Sequence, residues 1–193
     1  MTDVIDRLAG IRPGDRLDAL RRHRPVTREQ AEASYEALFG PGAHGTVTRD
    51  ERFAVAAFVA SLHTDETAAR HYAEPLDAAL AARIAALAAE ARTTGPYGDH
   101  PAGPLAAESE PGIRFALDAT AVEALGPRLA AALEHAHLLV FRPRESSPEA
   151  LAALAAAGWS TDGIVTLSQL VSFLAFQLRV VAGLRLLAAE EAA

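Results

Sequence analysis

The chain has 193 residues, half of them hydrophobic, with a net charge of −7 and no cysteine. That length can bury a substantial core unaided, and the acidic balance argues against nucleic acid or an anionic membrane as the main partner. The absence of thiols excludes disulfides, thiolate metal sites, cysteine nucleophiles and dithiol redox centres.

All 18 basic residues are Arg, which reads as the mark of a GC-rich genome and not of a function. No basic stretch leads into an apolar run near Met1, so a cytoplasmic protein without a signal peptide is expected. Few runs alternate with period two, and alanine, the best helix former, is abundant. The fold class expected is all-α.

The first elements are two short helices, Asp3–Ala9 and Gly14–Arg22, parted by Arg12-Pro13-Gly14. The basic run Arg21-Arg22-His23-Arg24 falls at a helix C-terminus, where the dipole favours cations, and reads as a solvated end. Thr27 with Gln30 has the spacing of a capping box and predicts a helix running to Phe39, ended by Gly40-Pro41-Gly42. His44 lies in the following loop, within reach of the next helix start.

The next stretch, TRDERFAVAAFVASLHTDETAARHY, holds the densest group of titratable side chains. Thr48 and Glu51 form a second capping box, and Val55, Phe58 and Leu62 share one helical face. Glu51 stands four residues before Val55, on that same face. Beyond a break at Thr64–Asp65 come Glu66, His71 and Tyr72, with His63 just before it. Pro75 then marks a kink or a new helix start, and Leu76, Leu80, Ile84 and Leu87 extend a helix to about Arg92.

Residues 93–112 hold four Pro and four Gly and read as a lid, a subunit-contact arm or, the favoured reading because no cluster fastens it, a mobile linker. A short amphipathic piece, Phe115–Leu125, precedes a helix from Pro127 to Phe141. His135 and His137 lie two apart on that helix, about 200° around it, and so cannot share a metal from one face. Ser147-Pro148 caps a short helix ended by Gly158. Ser160-Thr161-Asp162 then opens the most hydrophobic helix, Asp162–Leu187. Its polar interruptions disfavour a membrane span, so a buried helix enclosed by neighbours is expected, with Phe173 and Phe176 in the core.

Two segments carry a family resemblance. Arg142–Leu187, with its short helix, Gly-Trp-Ser cap and long apolar helix ending near an Arg, resembles the carboxymuconolactone decarboxylase-like (CMD) and alkylhydroperoxidase AhpD-like superfamily. Glu51–Tyr72 resembles that superfamily's redox half, in which a helix Glu precedes a C-x-x-C and a His. The resemblance implies an AhpD-like helical bundle with a central apolar C-terminal helix. It would be a single domain over 1–193: an extension (1–47), a site-bearing half (48–92), the loop (93–112) and a C-terminal half (113–193). It implies that Glu51 and His71 (Tyr72 in another register) match the family's proton-relay residues, and that Asp65 and Ala68 stand where the two cysteines belong. Neither can run a sulfenate–disulfide cycle.

Three readings follow. In the first, the chain is a non-peroxidatic AhpD/CMD-like protein, a homo-oligomer or an assembly partner of a second AhpD-like protein, with Glu51 and Asp65 serving as helix caps. The second is a thiol-free acid/base enzyme, decarboxylase- or lactone-processing-like, acting on a small organic acid. It would use Glu51 and His71 with His63, Asp65 and Tyr72 nearby, and Arg52, Arg70 or Arg179 to hold the substrate. The third is a metal site of His63, Asp65 or Glu66, and His71, at a spacing unlike a helical His pair. No cofactor or resident metal is expected on the first two.

Overall fold

The computed structural model describes residues 3–43 and 45–191, so His44 lies outside the described residues. These residues form ten α-helices and no strand, an all-α fold. The helices are α1 (Val4–Ala9), α2 (Arg16–Arg22), α3 (Pro25–Phe39), α4 (Arg49–Leu62), α5 (Glu66–Ala73), α6 (Ala78–Ala91), α7 (Ala119–Leu125), α8 (Pro127–Phe141), α9 (Pro148–Ala156) and α10 (Thr161–Glu191). The chain divides into two compact units, residues 45–171 and residues 1–44 with 172–193, and α10 contributes to both.

In the smaller unit, Asp3 caps α1 by accepting a hydrogen bond from the Asp6 amide at 2.9 Å. Helix α3 starts at Pro25, earlier than the Thr27–Gln30 pattern suggested. Proline at the first helical position loses no hydrogen bond and has its φ already set, so it outcompetes the Thr27 cap. The basic run is a solvated end only in part: Arg22, His23 and Arg24 are exposed, while Arg21 is drawn into ion pairs. Arg21 bridges Asp3 (2.8 Å) and Asp6, while Arg28 reaches Asp3 (2.8 Å), Asp6 and Asp18 (2.9 Å). Arg22 closes on Asp18 at 2.5 Å. The three carboxylates are buried, and a buried charge persists only when paired.

Helix α10 differs from expectation. Leu174, Leu178, Val181 and Leu184 are buried, but Phe176 is 43 % and Leu186 68 % exposed. Phe176 is therefore not core, and neighbours do not surround the helix. By length and composition α10 is also long and apolar enough to cross a membrane, with 39 % of that window buried.

In the larger unit α4 is the enclosed helix, packed by α5, α6 and α8. Every residue from Arg52 to Ala60 is buried. Four of them are alanines, and Ala68, Ala88, Ala91, Ala132 and Ala136 on the neighbouring helices are buried too. Small side chains let helix axes approach closely. Helix α6 begins at Ala78, after an Asp77 cap, and not at Pro75.

The segment 93–112 is not a free linker. Tyr97 is buried, its ring stacks on Phe141 with centroids 6.2 Å apart, and its hydroxyl donates to the Ile113 carbonyl at 2.8 Å. Gly98 and Glu110 pair across the loop as an antiparallel bridge. At Gly112 any Cβ would lie 2.0 Å from the Tyr97 ring, so only glycine fits. One aromatic with a polar tip anchors a segment whose composition alone reads as loose.

His135 and His137 are both buried. The His137 ring lies between Phe115 (5.0 Å) and Phe141 (4.8 Å), with Nε2 at 3.1 Å from the Ala91 carbonyl. Burial lowers the pKa of both histidines, and for His137 it outweighs the Ala91 hydrogen bond. Below about pH 6.5 the unfolded chain therefore takes up protons that the folded chain refuses. The carboxyl of Asp3 is raised by burial but lowered further by Arg21 and the Asp6 amide; that of Asp18 is lowered chiefly by Arg22. Their contribution is complete above the ordinary carboxylate range, about pH 4, and is lost below it. Urea unfolding against pH should thus show a plateau above about pH 7, a first decline below about 6.5 and a second below about 4. The first decline should shrink in His135→Leu.

Candidate functional site

The stretch 48–72 folds as α4, a tight break and α5. Thr48 caps α4: its hydroxyl accepts from the Glu51 amide at 3.2 Å, and the Glu51 carboxylate accepts from the Thr48 amide at 2.8 Å. The break is a Schellman turn, with Thr64 N–H bonding the Ser61 carbonyl and Asp65 N–H the Ala60 carbonyl. The residue at its left-handed position is Thr64, at φ 59°, whereas α9 ends in the same turn with Gly158 there, at φ 93°. A β-branched residue in that region is strained.

Asp65 opens α5. It is buried, and its Oδ1 accepts from the Ala68 amide at 2.9 Å. The two positions at which the family resemblance places cysteines are thus joined by a helix-cap hydrogen bond. Tyr72 is fully buried near Phe53 (6.4 Å between centroids), and the half-buried His71 meets its edge at 4.9 Å. His63 is the half-buried C-cap of α4.

Glu51 faces a group that the sequence reading passed over. Arg128, in the first turn of α8, donates from Nε to Glu51 Oε1 at 2.5 Å. Its other nitrogens donate to the Gly158 carbonyl at 2.6 Å and the Thr46 carbonyl at 2.7 Å. Its guanidinium lies over the Trp159 ring at 4.2 Å, and the Trp159 indole N–H donates back to the Arg128 carbonyl at 2.9 Å. A signal for Arg128 exists in the sequence. A cation in a helix's first turn opposes the dipole, so it needs acceptors elsewhere.

These surroundings bear on chemistry. An acid/base Glu51 was expected on an apolar face that desolvates it. Instead both carboxylate oxygens are occupied, one side by the cap and the other by a cation. Of the arginines expected to hold a carboxylate substrate, Arg52 is buried, with a pKa lowered by burial against the opposing charge of Glu51. Arg70 is exposed, and the exposed Arg179 donates to its own helix at the Ala175 carbonyl. Among the described residues no three His, Asp or Glu side chains gather as a metal site.

Two cavities are present elsewhere. A polar one of about 350 Å³ is lined by His100, Ser109, Glu108 and Arg144. There Arg144 meets His100 Nε2 at 2.7 Å and Ser109 Oγ accepts from the His100 amide, so the pair is not a nucleophile with a free base. The other lies in the smaller unit. Neither is lined by Glu51, His63, Asp65, His71 or Tyr72.

No protein-family model, curated protein or solved structure matches the chain.

Thr64→Gly should raise the unfolding free energy by about 1 kcal/mol, by relieving left-handed strain at an exposed position. Arg128→Met should lower it by about 2 kcal/mol, because Glu51 and two carbonyls lose a partly buried donor. In a double-mutant cycle with Glu51→Gln, coupling of about 1–2 kcal/mol is expected by urea unfolding. Additive losses would show that the pair stabilises nothing.

Proposed function

We propose that this chain is a non-peroxidatic AhpD/CMD-like protein whose role is assembly, with itself or with a second AhpD-like protein. The observation that supports this reading best is the bond from the Ala68 amide to Asp65 Oδ1. Where a dithiol would cycle, the chain has a buried helix cap. Asp is a good N-cap and suits the positive end of α5, so the position is stabilising without any redox role. Glu51 likewise serves as cap and ion-pair partner. Self-association is supported by Leu186 and Leu187, which are exposed on α10 near its C-terminal end.

Three outcomes are expected. The protein consumes no peroxide with a dithiol reductant; turnover would overturn the non-peroxidatic reading. The Asp65→Cys/Ala68→Cys variant gains peroxide consumption, and adding His71→Gln removes most of it; consumption indifferent to His71 would reject the inherited frame. Sedimentation equilibrium gives a species larger than the monomer that Leu186→Asp shifts downward, and a monomer at every concentration would reject assembly with itself.

A further inference from the structure

The cavity of the smaller unit is an open groove of about 380 Å³, lined by α1, α2, α3 and α10. That volume is within the range of small-molecule sites. Its walls are almost wholly apolar. Ile5, Ala31 and Leu184 are buried, while Leu20 and Phe176 are 44 % and 43 % exposed and stand at the open edge. Burying those two edges would remove apolar surface from water, which favours an aliphatic occupant.

The charge at the groove is selective. Arg21 and Arg28 line it, but both guanidinium groups are held by Asp3 and Asp6, and Arg28 also by Asp18. Arg24 lines it as well, is exposed, and among the described residues has no carboxylate partner. His23 and the Thr27 hydroxyl stand beside it at the same exposed edge. A single uncompensated cation thus sits at the mouth of an apolar cleft. A nucleotide or a phosphate-rich ligand wants several free cations and polar walls. A monoanion with an aliphatic tail wants what is there.

We propose that this groove binds a medium-chain aliphatic carboxylate, with the chain along Ile5, Val180 and Leu184 and the carboxylate on Arg24 and Thr27. The assignment stands on the groove alone and does not depend on the family reading. In such a complex the tail supplies affinity by removing apolar surface from water, and Arg24 sets the preference for an anionic head.

The test is titration calorimetry of the full chain with decanoate below its micellar concentration. Saturable one-site binding is expected. Arg24→Glu, a surface change, should weaken it by about tenfold, the size of one charge-assisted contact, and decanol should bind the unchanged protein weaker by a similar factor. Val180→Trp, which fills the groove, should abolish binding of both while leaving the urea midpoint near that of the parent. Absence of saturable binding, equal binding of decanol and decanoate, or indifference to Arg24→Glu would each overturn the proposal. So would an oligomer that takes no decanoate but whose dissociation by Phe176→Asp shows the groove covered by a second copy.

Discussion

The contact from Arg128 to Glu51 joins separate elements of the larger unit. Its guanidinium ties the first turn of α4 to the start of α8, and through the Gly158 carbonyl and the Trp159 ring to the turn between α9 and α10. Each of its three nitrogens donates to an oxygen, and the bonds to Glu51 are part-buried. Such a group is costly to remove chiefly because the part-buried Glu51 carboxylate would lose its cation. The return bond from the Trp159 indole to the Arg128 carbonyl fixes the ring under the cation. A planar fork of donors suits this junction; a lysine, with one point charge, would satisfy only part of it.

Around that junction, α4 is packed by α5, α6 and α8, which bury several alanines. Both described cavities lie away from Glu51. In the stretch richest in titratable groups, the charges of Glu51 and Asp65 are used for structure. Glu51 and Asp65 satisfy helix N-termini, and Asp3, Asp6 and Asp18 meet arginines in the smaller unit. The open chemistry is at the groove edge, where Arg24 has no such partner.

Local patterns were legible where one residue type has one physical use. The Thr48–Glu51 box, the Asp65 cap, the Ser147-Pro148 start and the Gly158 stop all follow from backbone groups that need partners within three or four residues. Elsewhere competing local signals misled: Pro25 took the start of α3 from Thr27, and Tyr97 fastened a segment that its prolines and glycines make look loose. The apolar pattern of α10 does not say which of its faces finds a neighbour, and Phe176 is on the side that does not.

The sequence by itself determined that the chain is helical, that thiol chemistry is absent, and where most helices begin and end, because these depend on composition and on contacts a few residues apart. Only the tertiary structure decided what each charge does. Arg128 meets Glu51 across 77 residues, and Arg28 meets Asp3 across 25. No local pattern encodes such pairs, since an ion pair requires only that two chains arrive at the same place. Whether a carboxylate acts as an acid, a cap or a counter-ion depends on that arrival.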